Sequence, residues 1–243
     1  IHEGWSMVFN GEIYNYVELK NFLIDEYDLS FTTKSDTEVL LKGFILLKED
    51  FLIKIRGAFA ACINKGNDYF IFRDTFGMKP LYLLRENNNL IVSSTVKAIS
   101  SITSNNASEE ARIMFQKFGF IPEPYTHFEN ITCATPGAII HYKSDEDSYV
   151  EKSFYSLISL YQNSIKSKQI LNSDIIDTFN KVKPSIQRHF TSDVGCTIAL
   201  SSGFDSVFIA NYSNKVNHDS ISIGFEKRSR DSEYNEASLI ANA

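Results

Sequence analysis

A hexapeptide of mostly small, polar residues between two short apolar runs constrains this chain more than any other feature. Residues 201–206 read Ser-Ser-Gly-Phe-Asp-Ser, after the apolar run 197–200 and before the apolar run 207–210. This order predicts a strand, a loop and a helix, with backbone N–H groups and hydroxyls facing a polyphosphate at the positive end of the helix. An ordinary strand-to-helix turn is the alternative interpretation.

The loop lacks the lysine of a Walker-type motif, so we expect the Asp205 carboxylate to hold a magnesium ion that itself carries pyrophosphate. This arrangement indicates adenylation rather than transfer of a γ-phosphoryl group. A second apolar strand at 220–225 and a helix at 233–242 follow. The resulting order of strand, helix and strand is typical of a parallel sheet, in which ligands bind at the carboxyl ends of the strands.

Composition and charge exclude several classes of protein. A chain of 243 residues with 43% hydrophobic content can form a substantial core, and a net charge of −6 without a basic stripe argues against a nucleic-acid partner. No apolar run approaches the roughly 18 residues of a membrane span, and the start resembles no signal peptide, so we expect a soluble, cytoplasmic protein. Cys62, Cys133 and Cys196 have no zinc-binding spacing, which indicates buried, reduced thiols.

The first part of the chain, to about residue 154, reads as short strands joined by polar turns, with two early helices. The first helix is predicted over 17–27, and a capping box of Ser35 and Glu38 opens the second. Turn composition predicts two hairpins. Together, the helices and hairpins indicate an antiparallel sheet covered by helices. The hairpins pair residues 58–63 with 69–72, and residues 81–84 with 90–92.

We place a domain boundary near Tyr155, giving domains over 1–155 and 156–243. After it, residues 173–189 have helical spacing, and Pro184 is expected to kink that helix or end it early. Arg73 and Asp74 suggest catalysis at first sight, but a structural ion pair at a strand end is the preferred interpretation.

Several motifs in the right order along nearly the whole chain resemble the glutamine-dependent asparagine synthetase family. The resemblance implies an α+β fold followed by an α/β fold. The first is an incomplete four-layer αββα glutaminase sandwich of the Ntn type, joined to the beginning of a parallel-sheet PP-loop domain that binds ATP. The motifs that carry the resemblance lie at residues 9–15, 34–39, 56–60, 73–82, 94–99, 136–137, 192–194, 201–206 and 222–225.

The resemblance also implies a glutamine site. In this family an N-terminal cysteine attacks the side-chain amide of glutamine, the Asn10 side chain and the Gly11 N–H would form the oxyanion hole, and Glu12 and Asp36 would hold the α-amino group. Two alternatives stay open. Asn10-Gly11 is also a common hairpin-turn dipeptide, and Asp36 could be a first-turn acid favoured by the helix dipole.

On the ATP side, the resemblance implies that ATP activates a carboxylate as an acyl-adenylate, and that ammonia then displaces AMP. Leu200 and Ile223 would border the nucleotide, backbone groups near Ile223 would read adenine, and Asp205 would hold Mg²⁺. The complete implied ATP site is Leu200, Ser201, Ser202, Gly203, Phe204, Asp205, Ser206, Ile223 and Gly224.

The chain departs from the family pattern in places. The nucleophilic cysteine and a glutamine-binding arginine are not in it, so we expect a fragment that is truncated at both ends and inactive alone. Ser202 replaces the usual first glycine of the loop, which requires a negative φ. Aspartate is the default acceptor and a homodimer is compatible with the resemblance. The alternatives are a sugar or β-lactam type of acceptor on the same scaffold, or a non-catalytic relic that binds glutamine or nucleotide.

Overall fold

The structure is a computed structural model that describes residues 2–86, 89–164, 172–191, 194–213, 218–224 and 234–241. The chain divides into two compact units, Ile1–Lys166 and Ser167–Ala243. The boundary near Tyr155 stays a prediction. Among the described residues, no helix combines the length and the apolar character that a membrane crossing needs.

Two antiparallel sheets and their helices make up the first unit. The five-stranded sheet has the order β1-β2-β3-β7-β8, and the three-stranded sheet has the order β5-β4-β6. The elements are β1 Trp5–Ile13, α1 Tyr16–Tyr27, α2 Asp36–Leu47, α3 Glu49–Leu52, β2 Gly57–Lys65, β3 Asp68–Arg73, β4 Tyr82–Glu86, β5 Asn89–Ser93, α4 Val96–Ser100, α5 Glu109–Phe118, β6 Ile131–Cys133, β7 Ala138–Lys143, β8 Ser148–Ser153 and α6 Leu157–Ser164.

Three buried clusters separate the layers of this unit. Alternate residues of a strand point to opposite faces of a sheet, so Phe59 packs with α1 and α2 while its neighbour Ala60 faces the second sheet. A third cluster joins the outer face of the second sheet to Ile99 of α4. The layers therefore run helix, sheet, sheet, helix. The prediction of an antiparallel sheet covered by helices is confirmed.

Both predicted hairpins are present, with small differences in length. β2 and β3 pair from Ala60↔Arg73 to Lys65↔Asp68, so both strands extend into the predicted turn and leave a two-residue loop. Gly66 in that loop has φ +58°, a conformation that glycine adopts without strain. β4 pairs with β5 over Tyr82↔Ser93 to Glu86↔Asn89.

The predicted capping box is only half correct. The Ser35 side chain does cap α2, accepting from the N–H of Thr37 at 3.2 Å. Glu38 does not reach back to Ser35, because its carboxylate accepts from the N–H groups of Thr32 and Thr33, at 2.9 and 2.7 Å, and pairs with Lys42 at 2.8 Å. Glu38 thus fastens the preceding loop to the helix.

The second unit contains two parallel strands with a helix between them. β9 pairs with β10 in the register His218↔Cys196 to Ile221↔Ala199. The second strand was predicted over 220–225 but ends at Ile221. Pro184 was predicted to kink its helix or end it early; the helix does not end there but continues to Arg188. The elements are α7 Asn172–Arg188, β9 Cys196–Ala199, α8 Phe204–Tyr212, β10 His218–Ile221 and α9 Tyr234–Ala241.

Candidate functional site

Asn10, Gly11 and Glu12 lie near the end of β1, inside the strand. Asn10 pairs with Ala60 and Gly11 with Phe59 in the antiparallel ladder to β2. The interpretation of Asn10-Gly11 as a hairpin turn is therefore wrong, since neither residue connects two strands. The side chains of Asn10 and Glu12 are exposed, as residues that meet a substrate from solvent must be.

Gly11 occupies a position where any side chain would clash with the neighbouring strand. Its φ is +147°, and a Cβ there would lie 2.1 Å from the carbonyl oxygen of Ala58 and 2.6 Å from the Cα of Phe59. Gly57 on β2 is restricted in the same way, since its Cβ would lie 2.2 Å from the carbonyl oxygen of Glu12. At both positions the missing Cβ would point into the backbone of the neighbouring strand, so the paths of β1 and β2 at this end of the sheet require glycine.

Asp36, the first residue of α2, is brought to the same end of β1. Its Oδ2 accepts a hydrogen bond from the N–H of Ile13 at 3.0 Å, and Ile13 directly follows Glu12. Its Oδ1 accepts from the hydroxyls of Ser35 and Thr37 at 3.4 and 3.3 Å. Asp36 is half-buried, and because a carboxylate has about four acceptor positions, these three bonds leave about one position open. Asp36 is a first-turn helix acid and also lies beside Glu12, so the two interpretations are compatible.

Tyr14 lies within electrostatic range of this site and was missed from the sequence. Burial raises the pKa of its hydroxyl, and the negative charges of Glu12 and Asp74 raise it further. The Tyr14 hydroxyl therefore stays protonated near neutral pH. Tyr14 belongs to the motif at residues 9–15, but the sequence assigned it no role, because one tyrosine after a strand is unremarkable in a chain with 12 of them.

Asp74 follows β3 and is 1% exposed. Its Oδ2 accepts from the N–H groups of Phe59 at 3.2 Å and Lys79 at 3.0 Å. Its Oδ1 accepts from the N–H groups of Phe76 at 3.1 Å and Met78 at 2.9 Å. The predicted ion pair between Arg73 and Asp74 is wrong, because backbone N–H groups, and not Arg73, donate to the Asp74 carboxylate.

The ion-pair partner of Arg73 is Glu123. Nη1 and Nη2 of Arg73 donate to the two carboxylate oxygens at 2.9 and 3.0 Å. Burial alone would lower the pKa of Arg73, but the hydrogen bond and charge of Glu123 raise it. The structural role predicted for Arg73 agrees with its remaining contacts. These are the carbonyl oxygens of Gly77 (2.5 Å), Lys79 (2.7 Å) and Ala134 (3.0 Å), and the Sγ of Cys133 (3.1 Å).

The small-residue loop of the second unit connects β9 to α8. The hydroxyls of Ser201 and Ser206 lie 3.0 Å apart, and the Ser206 hydroxyl also accepts from the N–H of Ser201 at 3.1 Å. α8 begins at Phe204, with Gly203 as its N-cap and Asp205 in the first turn. Ser202 is not among the described non-glycine residues with positive φ, so the requirement set by its substitution for glycine is met.

A cavity of about 380 Å³ lies at the carboxyl ends of β9 and β10. The Ser222 hydroxyl donates to the carbonyl of Leu200 at 2.7 Å, which joins the segments that follow the two strands. Ile223 is 88% exposed, and Gly224 packs so closely on Tyr234 that a Cβ would lie 2.8 Å from it. The lining residues are Ala199, Leu200, Ser201, Ile221, Ser222, Ile223, Tyr234 and Ala237.

The structure thus gathers part of the predicted ATP site around one cavity. Leu200, Ser201 and Ile223 line it, while Asp205 lies exposed in the first turn of α8. Tyr234 was missed, because its helix was predicted without any indication of what it faces. In the described part of the chain, no three His, Cys, Asp or Glu side chains cluster as metal ligands.

The cysteines are free and differ in burial. Cys133 is buried, whereas Cys62 and Cys196 are half-buried, so the prediction of buried thiols is confirmed only for Cys133. Burial raises the pKa of the Cys62 thiol to about 11. Burial also raises the pKa of Cys133, although the charge of Arg73 opposes the shift. Since the thiolate is the reactive form, neither thiol is suited to nucleophilic attack.

Comparison with known proteins gives one family match and several relatives. The model of a glutamine amidotransferase domain matches residues 2–155. The chain is 32% identical over 233 residues to asparagine synthetase [glutamine-hydrolyzing] 1 of Bacillus subtilis, covering 93% of this chain and 35% of the relative. It is 29% identical to the putative asparagine synthetase [glutamine-hydrolyzing] 2 of Methanocaldococcus jannaschii, covering 94% of this chain and 44% of that protein. The chain therefore spans less than half the length of these relatives.

Among solved structures, the allosteric regulatory enzyme of purine biosynthesis aligns with 16% identity and a TM-score of 0.46, covering 94% of this chain and 47% of that one. The glutamine phosphoribosylpyrophosphate amidotransferase from B. subtilis, complexed with ADP and GMP, aligns with 18% identity and a TM-score of 0.45, covering 95% and 48%.

Proposed function

This chain belongs to the glutamine amidotransferase domain family, and we propose that its first domain, residues 2–155, binds glutamine and releases the side-chain amide as ammonia. The observation that carries this proposal is the geometry at the end of β1. There, Gly11 is packed against Phe59 with no room for a side chain. Asp36 accepts a hydrogen bond from the N–H of Ile13, the residue next to Glu12. An αββα glutaminase sandwich of the Ntn type is the fold that we propose for this domain.

Each residue of this site has a defined task. Amide hydrolysis passes through a tetrahedral intermediate with a developing negative oxygen, and prepositioned donors stabilise that charge. The Asn10 amide and the Gly11 N–H are these donors. Glu12 and Asp36 supply two carboxylates for the α-ammonium group of glutamine, through charge-assisted hydrogen bonds. The nucleophile that the family resemblance implies is an N-terminal cysteine.

For the second domain, from residue 156 onwards, we propose a PP-loop domain that binds ATP and Mg²⁺. The chemistry of the donor set fits this assignment: two adjacent serine hydroxyls, the free first-turn N–H groups of a helix and one exposed acid follow a strand, beside a cavity of about 380 Å³. Bound ATP would supply an adenylate as a good leaving group. Leu200 and Ile223 would border the base, Ser201 and Ser206 would contact phosphate, and Asp205 would hold Mg²⁺.

For the protein as a whole, we propose glutamine-dependent amidation of a carboxylate, with aspartate as the acceptor. Two features support this proposal: the names of the relatives, and the order of a glutamine site and a nucleotide loop in one chain.

The test uses the full-length gene product with glutamine, ATP, Mg²⁺ and aspartate. We expect glutamate formation from glutamine, and pyrophosphate release that depends on aspartate and yields asparagine. Glutamate formation without aspartate-dependent pyrophosphate would refute aspartate as the acceptor and leave the glutaminase assignment in place. The absence of both activities would refute the proposal and favour a non-catalytic relic.

A further inference from the structure

Asp74 is tied to both backbone polar groups of a single residue, Phe59. The Asp74 carboxylate accepts from the N–H of Phe59 at 3.2 Å, and the N–H of Asp74 donates to the Phe59 carbonyl at 2.8 Å. A residue held at its donor and its acceptor by the same partner can neither slide nor rotate independently of that partner. The position of Phe59 is therefore fixed by Asp74.

Phe59 is the residue on which Gly11 packs. The two are paired in the ladder between β1 and β2, and the missing Cβ of Gly11 points at the Phe59 backbone, 2.6 Å from Cα. With so little space between them, a shift of a few tenths of an ångström at Phe59 moves Gly11 as well, since closely packed interiors transmit displacements.

The same carboxylate also holds the loop of residues 75–79. Its remaining donors are the N–H groups of Phe76, Met78 and Lys79, while Arg73 donates to the carbonyls of Gly77 and Lys79. Asp74 thus joins this loop and β2 by hydrogen bonds, and the end of β1 through the packing of Gly11 on Phe59. The negative charge of Asp74 also reaches the site directly, because it helps to raise the pKa of Tyr14.

We propose that Asp74 is a positioning residue for glutamine hydrolysis, acting through Phe59 to hold the Gly11 N–H where the oxyanion forms. This inference rests on the function proposed above. Asp74 itself does not contact substrate, being 1% exposed. A carboxylate is required because both of its oxygens only accept, whereas an asparagine would present an N–H₂ group to backbone N–H donors.

The test is Asp74→Asn in the full-length gene product, with Asp68→Asn as the matched control. Asp68 lies at the opposite end of β3, where it is partly exposed and paired with His141. We measure kcat and KM for glutamine hydrolysis, with kcat normalised to the sites that an electrophilic glutamine analogue labels at completion. This normalisation removes any loss that reflects only misfolded protein.

For Asp74→Asn we expect kcat per labelled site to fall by about 10- to 100-fold, the range that misplacement near a reacting centre produces. KM should change by less than about threefold, because Glu12 and Asp36, which hold the substrate in the ground state, are retained. Asp68→Asn should match wild type in both constants. Should Asp74→Asn fail to fold, Asp74→Glu keeps the charge but displaces the carboxylate by one methylene, and it should lower kcat in the same way.

Wild-type kcat per labelled site in a folded Asp74 variant would overturn the inference, even if its melting temperature fell, because that result describes a residue that only stabilises the fold. A 10- to 100-fold rise of KM at unchanged kcat would also overturn the inference, because it would mean that Asp74 acts in substrate binding. If wild type itself hydrolyses no glutamine, the proposed function fails, and this inference fails with it.

Discussion

Arg73 and Glu123 form a two-pronged ion pair in which one partner is buried and the other half-exposed: the side chain of Arg73 is 4% accessible and that of Glu123 49%. The pair fixes the segment around Glu123 to the end of β3. Glu123, rather than the neighbouring Asp74, pairs with the positive charge of Arg73, because the Asp74 carboxylate accepts from backbone N–H groups.

Removal of Glu123 should therefore destabilise the protein. In Glu123→Ala, the Arg73 guanidinium stays buried without its carboxylate, and we expect the free energy of unfolding to fall by about 1–3 kcal/mol. Glu109→Ala is the control, since it breaks an exposed pair with Arg112 that should contribute much less to stability. Urea unfolding of both variants measures the difference, and equal effects would show that burial of Arg73 is irrelevant.

Gly11→Ala should damage both fold and activity. The added methyl group meets backbone atoms, so we expect a loss of about 1–3 kcal/mol from overpacking and a fall in glutamine hydrolysis of roughly 10²–10³-fold through the displaced oxyanion donor. Gly66→Ala is a matched control, because its φ is also positive but a Cβ there meets nothing within 4 Å. Similar behaviour of the two variants would mean that backbone strain, rather than the close approach of the strands, explains the glycine.

The Glu38–Lys42 pair predicts a pH dependence of stability. Burial would raise the pKa of Glu38, but hydrogen bonds from Lys42 and Thr33 outweigh it and lower the pKa well below the ordinary value of 4.5. Because the folded-state pKa is depressed, Glu38 contributes stability above about pH 4.5 that is lost progressively as the pH falls further. In Glu38→Gln this contribution is absent.

Thermal unfolding from pH 7 to pH 3 measures this effect. Wild type should be the more stable protein at pH 7, and the difference from Glu38→Gln should shrink below about pH 4.5. A difference that stays constant across the range would contradict a depressed pKa.

Asp205→Asn should separate the two proposed activities. Loss of the carboxylate would remove the proposed Mg²⁺ ligand, so pyrophosphate release by the full-length gene product should fall at least ~10-fold, as expected where a charged metal ligand is lost. Glutamine hydrolysis should stay within about twofold of wild type, because Asp205 has no part in that site. Asp219→Asn on β10 is the control and should change neither activity. A joint loss of both activities in Asp205→Asn alone would contradict this division of labour.

The spacing of apolar residues was sufficient to predict the elements that pack on a hydrophobic core. The apolar face of α2 includes Val39, Leu40 and Phe44, and all three are buried, because helical spacing by itself brings them together. The order of strand, loop and helix around residues 201–206 was predictable from the small residues between two apolar runs, although the loop is shorter than predicted because α8 begins at Phe204.

Contacts between residues distant in sequence could not be predicted in this way. The partner of Arg73 lies 50 positions away, at Glu123, and adjacency favoured Asp74 instead. The capping box failed at Glu38 because backbone N–H groups of the preceding loop compete for its carboxylate. The close approach at Gly11 was equally invisible, because it depends on which strand becomes the neighbour of β1.

The paired glycines of β1 and β2 limit how this site can change over generations. The atoms that exclude a side chain at Gly11 and Gly57 are mainly backbone atoms, notably the carbonyl oxygens of Ala58 and Glu12, which every amino acid carries. A substitution elsewhere changes a side chain and leaves these backbone atoms in place, so a mutation at either glycine has no compensating partner. The local path of the two strands is therefore inherited as a unit, while residues that meet only side chains around it remain free to vary.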